Sequence, residues 1–283
     1  MVEGIKRITV VGLGVIGGSY AMALTKAGYE VYGVDKDEDT LAKALANGVV
    51  VASSVDCKEY FAKSDLIVMA LYPDMIADYL ATNVQYIKEG AIITDVAGLK
   101  SHFVEAIESV LPKGIHFVFA HPMAGREKKG FDFADDKVFL GANFIITPTE
   151  NTDAKAMEKV ELLAKEIGFG QIKRTSPKAH DDIIAYTSQL PHALAVALIN
   201  SDSEDSETGK FIGDSYRDLT RIANINEKLW SQLFINNKRN LIDKIDEFQH
   251  QLDLIKKCVQ ESDFDGLEKL FVKAGIRRNN LQK

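Results

Sequence analysis

The chain has 283 residues, 46% of them apolar and 27% charged, which is ordinary for a water-soluble globular protein and long enough for two domains. A formal charge of −7 speaks against a nucleic-acid surface, which needs a basic patch. No leader precedes the first apolar strand and no apolar run nears the roughly 18 residues of a membrane span. Cys57 and Cys258 lack metal-ligand spacing, so the expectation is a cytoplasmic protein with reduced thiols, no metal, and no membrane or nucleic-acid partner.

The first half alternates apolar strands with helical stretches, the pattern of a parallel sheet with crossover helices. Strands are expected at Arg7–Val11, Glu30–Val34, Leu66–Ala70, Ala91–Asp95, His116–Ala120, Asn143–Thr147 and Gln171–Arg174. Helices are expected at Gly17–Ala27, Asp39–Asn47, Asp74–Tyr86 and Lys100–Leu111. After Ser176 the pattern is helical throughout. One long helix should start at Pro177 and run to Ser201, bent at Pro191. DSEDSETGK at 202–210 reads as a loop. A second long helix should span Glu227 to Gln260, its stripe of Trp230, Phe234, Leu241, Ile245, Phe248, Leu252, Ile255 and Val259 suited to a partner helix or subunit. The expected domains are 1–175 and 176–283.

The stretch ITVVGLGVIGGSYAMAL holds Gly12, Gly14 and Gly17 in a GxGxxG pattern between a buried strand and a helix. Gly12 permits the tight turn, Gly14 admits a pyrophosphate, and Gly17 lets helix and strand pack closely. The backbone around Val15 and Ile16 then offers the helix N-terminus to phosphate. The second strand ends at Asp35, 23 residues after Gly12, where a carboxylate can take both ribose hydroxyls and repel a 2′-phosphate. The cofactor expected is therefore NAD rather than NADP, with Lys36 next door slightly softening the preference. The fold class follows: an α/β N-terminal Rossmann-type doubly wound sheet plus an all-α C-terminal domain.

Three further stretches hold polar groups in unusual settings. In FVFAHPMAGREKKG, His121 follows an apolar strand, where a neutral imidazole could take a proton, or it is a structural residue before Pro122. Arg126 and Lys128 follow it, as ligands of a carboxylate or as a solvated basic loop. In TSQLPHALA, Gln189 and His192 share a helix face and either reach a ligand or fill the core. In DSYRDLTRIANINEKLW, Asp218 and Arg221 are three apart, either a surface ion pair or a guanidinium held ready for a carboxylate.

Together DVAGLK at 95–100, HPMAGREKKG at 121–130, SQLPHA at 188–193 and RDLTRIA…W at 217–230 make the chain resemble the prephenate/arogenate dehydrogenase family of tyrosine biosynthesis. The resemblance implies oxidative decarboxylation of prephenate to 4-hydroxyphenylpyruvate with NAD, arogenate being the alternative substrate, in a homodimer with a helical dimerisation domain. It makes His121 the catalytic histidine on the substrate hydroxyl, His192 a second substrate-site histidine and Arg221 the grip on the ring carboxylate. It places Arg126, Gln189, Asp218 and Trp230 at the substrate, the tryptophan at times from the partner subunit. Two departures stand out. Gly98 replaces a family serine that holds the histidine or the hydroxyl, so Ser101, a water or the cofactor would have to supply that bond. GDSY replaces GGGF, putting Asp214 where it could meet an amino group. A β-hydroxyacid dehydrogenase using Lys178, and a non-catalytic NAD sensor, are the rival readings.

Overall fold

The computed structural model describes residues 1–125, 128–203 and 207–281. The elements run β1 (Arg7–Val11), α1 (Val15–Lys26), β2 (Glu30–Val34), α2 (Glu38–Ala46), β3 (Ala52–Ser54), α3 (Lys58–Phe61), β4 (Leu66–Met69), α4 (Pro73–Asn83), β5 (Ile92–Asp95), α5 (Val104–Val110), β6 (His116–Val118), β7 (Ala120–Pro122), β8 (Asn143–Ile146), α6 (Ala154–Glu166) and β9 (Gln171–Arg174). There follow α7 (Pro177–Ile184), α8 (Leu190–Asn200), α9 (Asp214–Thr220), α10 (Glu227–Asn236), α11 (Lys238–Glu261) and α12 (Phe264–Asn280).

Six parallel strands form one sheet in the order β3-β2-β1-β4-β5-β6. The strand order reverses beside β1, so β1 and β4 part at their carboxyl ends and open a crevice there. β1, β4 and β5 are buried along almost every residue, as strands covered on both faces must be. On one face Tyr20 of α1 meets Phe139, which stacks with Phe169 and so with Phe144.

The apolar run at 116–120 is not one strand. β6 stays in the large sheet, and the chain switches at Phe119 into a second sheet, β7-β8-β9, with β7 antiparallel to β8 and β8 parallel to β9. Phe119 accepts from the Thr147 N–H and the Ala120 N–H turns to Asp95 Oδ1 at 3.0 Å, so both groups leave the first ladder. β3 and α3 are additional to the expected elements.

The long helix from Pro177 widens into a π turn at Ala185–Gln189 before α8. Pro191 cannot donate to an i−4 carbonyl, and the wider turn absorbs that mismatch. Pro177–Asn200 is, by length and composition, apolar enough to cross a membrane, contrary to the expectation of no such run. Its His180 and Asp181 are nevertheless buried within the protein. The second long helix breaks at Asn237, whose side chain donates to the Asp181 carbonyl and to Gln189 Oε1, both at 2.8 Å.

The chain forms two compact units, Met1–Asn237 and Lys238–Lys283, and no strand follows Arg174 among the described residues. The second unit is the pair α11 and α12, joined at Ser262 in the left-handed region (φ 53°) with Asp263 capping α12 through the Gly266 N–H. It exposes Leu252, Val259, Phe271, Val272 and Ile276.

Gly17 marks the tightest approach of α1 to the sheet: a Cβ there would lie 1.7 Å from the Gly12 carbonyl oxygen. Gly17→Ala should therefore cost about 1–3 kcal/mol or more, read as a lower thermal midpoint. An unchanged midpoint would contradict this packing.

Candidate active site

The crevice begins at the turn after β1. Gly12 sits at φ +88°, and its N–H donates to the Val34 carbonyl at 2.7 Å. Gly14 is the N-cap of α1, with no side-chain cap and no acidic residue in the first turn. A Cβ on Gly14 would meet nothing within 4 Å. Free first-turn N–H groups, the positive end of a helix dipole and open space together suit a pyrophosphate. Val15 packs inward, while Ile16 reaches toward Gly125, within 4.0 Å of a Cβ built there. Asp35 directly follows β2, with Oδ2 accepting from the Leu13 N–H at 2.7 Å and Oδ1 from the Asp37 N–H at 3.0 Å. The carboxylate is thereby fixed at the mouth of the turn, where a ribose diol would lie. These residues fit a dinucleotide.

His121 lies in the middle of β7, opposite Ile145. The backbone before it is pinned by a fully buried ion pair, Asp95 with Lys100. Asp95 accepts from the Ala120 N–H and the Lys100 ammonium donates to the Ala120 carbonyl. The His121 ring is held from the other side: its Nδ1 is 2.9 Å from His180 Nε2, and His180 Nδ1 is 2.8 Å from Asp181 Oδ1. Asp181 also accepts from the Lys100 N–H at 3.0 Å and the Ser101 N–H at 2.8 Å. Although burial pushes its carboxyl up, hydrogen bonds from His180 and Ser101 hold it below the usual range. Burial drives His121 well below the usual histidine value, so the ring is neutral at pH 7.

The opposite nitrogen of His121 looks onto Gly98, where a Cβ would sit 3.7 Å from Nε2 and 3.5 Å from Leu233 Cδ2. Ser101 lies against Asp181, which its side chain engages, rather than supplying the absent hydroxyl. His121 takes its bond from His180 instead.

Leu233 packs with Leu99 and Ile184, and Met123, Leu229 and Trp230 close over them. His192, in the first turn of α8, donates from Nδ1 to the Ser188 carbonyl at 2.8 Å and stacks on Trp230 with ring centres 3.6 Å apart. Trp230 thus serves its own chain's histidine. Arg221 opens a 3-10 turn, Arg221–Ala223, that packs on α8. Both Arg221 and Asp218 are exposed. Asp214, 96% exposed, is paired with Arg217 at 3.2 Å. Arg126 lies outside the described residues. Lys128 sits 5.4 Å above the Phe133 ring, and Lys178 is exposed.

Gln189 does not face a ligand. It is 1% exposed; its amide donates to the Leu233 carbonyl at 2.7 Å and accepts from Asn237, so its hydrogen-bonding is spent inside the protein. The pair His180–Asp181 is missing from the sequence-based candidates. Its signal lies in PKAHDDII, where two polar residues fall on the same buried side as Ile184.

The family model described as "Prephenate dehydrogenase, nucleotide-binding domain" matches residues 20–172, and "Prephenate dehydrogenase, dimerization domain" matches 176–273. The glycine turn precedes the first match. A cyclohexadienyl dehydrogenase of Zymomonas mobilis is 30% identical over 93% of this chain and 91% of its own. The structure of Aquifex aeolicus prephenate dehydrogenase with hydroxyphenyl propionate and NAD+ superposes with a TM-score of 0.87 at 28% identity, covering 98% of both chains. Synechocystis arogenate dehydrogenase gives 0.82 at 26%, covering 97% of this chain and 99% of that one.

Because Gln189 bonds to the Leu233 carbonyl and to Asn237, Gln189→Leu takes one hydrogen bond from each and should cost about 1–3 kcal/mol in chemical denaturation. KM should stay within a few-fold; a large rise in KM without loss of stability would return Gln189 to the substrate.

Proposed function

Because the chain belongs to the prephenate dehydrogenase family, we propose that it converts prephenate to 4-hydroxyphenylpyruvate and CO2 with NAD as acceptor, as a homodimer in the cytoplasm. The observation that carries this reading is His121: neutral, ring-locked through Nδ1, and open at Nε2 beside the crevice. Bound NAD supplies the hydride acceptor for the hydroxyl-bearing ring carbon, and the electron pair of the breaking ring–carboxylate bond completes the aromatic ring as CO2 leaves. His121 Nε2 takes the hydroxyl proton, a task for which a general base is worth about 10²–10⁴-fold. Arg221 meets the ring carboxylate, and Asp218 and His192 border the substrate. Trp230, stacked on His192, shuts water from that end of the site.

Prephenate is preferred to arogenate here because Asp214, the one carboxylate expected at an amino group, is solvent-exposed and already paired with Arg217. Asp35 favours NAD over NADP by repulsion of a 2′-phosphate. The domain division at about residue 175 separates the cofactor half from the helices that carry His192 and Arg221. The dimer is supported by the apolar residues left exposed on the long helix, Ile183, Tyr186, Leu198 and Ile199. Two free cysteines fit a reducing compartment.

The direct test follows NADH formation with prephenate and arogenate side by side; equal or greater kcat/KM with arogenate would overturn the substrate assignment. His121→Asn should lower kcat about 10²–10⁴-fold with little change in KM, and Arg221→Gln should raise KM at least about tenfold; the reverse pattern would reassign both. Since the pKa of His121 lies well below its ordinary 6.5, activity should hold through neutral pH and fall only in more acid solution, as the imidazole protonates. Asp35→Ser should move the cofactor preference toward NADP, read from the ratio of kcat/KM values.

A further inference from the structure

Resting on the reading of His121 as the proton acceptor, we propose that His180 and Asp181 are positioning residues that set the tautomer of His121 and so make Nε2, and not Nδ1, the base. The argument is one of donors and acceptors. Asp181 is a carboxylate and only accepts, so the proton between it and His180 lies on His180 Nδ1. A neutral His180 then has its lone pair at Nε2. That atom is 2.9 Å from His121 Nδ1, so His121 must carry its proton on Nδ1 and donate. His121 Nε2 is left as a lone pair directed at the open space beside Gly98.

The reverse chain, with a cationic His180 donating to His121, would place the His121 proton on Nε2 and disable the base. The packing opposes it: His180 is fully buried, and the Asp181 carboxylate is already met by the Lys100 and Ser101 N–H groups, so a neutral Nδ1–H completes its donors. Among the described residues, Asp181 of α7 bonds to His180, Lys100 after β5 is paired with Asp95, and Leu233 of α10 lies with His121 around Gly98.

The same chain acts during proton transfer. When Nε2 takes the substrate proton, His121 becomes a cation whose Nδ1–H still points at His180, and the Asp181 carboxylate lies in line behind it. The arrangement matches in role the aspartate that orients a catalytic histidine in serine hydrolases, with a second imidazole interposed.

His180→Leu removes both bonds; His180→Gln keeps an acceptor for His121 and a donor for Asp181. We expect His180→Leu to lose about 10²-fold in kcat with KM within about threefold, to shift the acid limb of the pH profile, and His180→Gln to recover most of the loss. NMR of the wild-type protein with isotope-labelled histidine nitrogens should show His121 protonated at Nδ1 and bare at Nε2, a reading that stands even where a variant fails to fold. A folded His180→Leu protein with unchanged kcat and pH profile, or a wild-type His121 protonated at Nε2, overturns the proposal. If His121→Asn keeps full turnover, the reading of His121 as the base fails instead; if that variant is inactive while His180→Leu is not, only the role of His180 and Asp181 fails.

Discussion

Asp181 is a carboxylate at 4% exposure, and removing such a charge from water costs several kcal/mol unless donors surround it. Here three donors do: His180 Nδ1 and the backbone N–H groups of Lys100 and Ser101. Its own carbonyl accepts from Asn237. One residue therefore joins α7 to the segment after β5 and to the end of α10. The position of His121 relative to the large sheet depends on that junction, because the segment after β5 also carries Gly98 and Lys100.

A second buried pair works on the backbone. Asp95 and Lys100 occupy both polar groups of Ala120, the residue that starts β7 and precedes His121. The histidine is thus constrained twice, at its main chain by an ion pair and at its ring by the hydrogen-bonded pair His180 and Asp181. Fixing a reacting group before substrate arrives removes reorganisation from the barrier, and this is where burying four ionisable side chains yields a return. Stability alone would not favour them, since apolar residues of similar size often serve a core as well or better.

The large sheet was legible because its physics is local. Strands buried on both faces must be continuously apolar, and a dinucleotide turn needs glycine where Gly17 would otherwise strike the Gly12 carbonyl. Asp35 could be placed by its distance along the chain alone. What stayed hidden depends on contacts far apart in sequence. FVFAHP reads as one apolar run, and only Asp95, across the sheet, reveals that it serves two sheets. The stripe from Trp230 to Val259 reads as one helix until Asn237 finds its partners on α7 and Gln189. Gln189 itself sits in a motif shared with His192, and three residues of helix are enough to separate a core amide from a half-buried ring stacked on Trp230. His180 and Asp181 look like solvent-facing charges near a helix start; their burial follows from donors some 80 positions away in the chain.

Gly98 ties these strands together. Nothing steric demands glycine there, since an added Cβ would meet only ordinary contacts with His121 and Leu233. Its consequence is chemical. A hydroxyl beside Nε2 could compete with the substrate for the lone pair or help orient the ring, and this chain has neither effect available at that position. Orientation must then come from the Nδ1 side, where His180 is held by a buried carboxylate that two backbone N–H groups also meet. With no side chain at Gly98 beside Nε2, the alignment of the ring falls to the buried groups on its far side, His180 and Asp181.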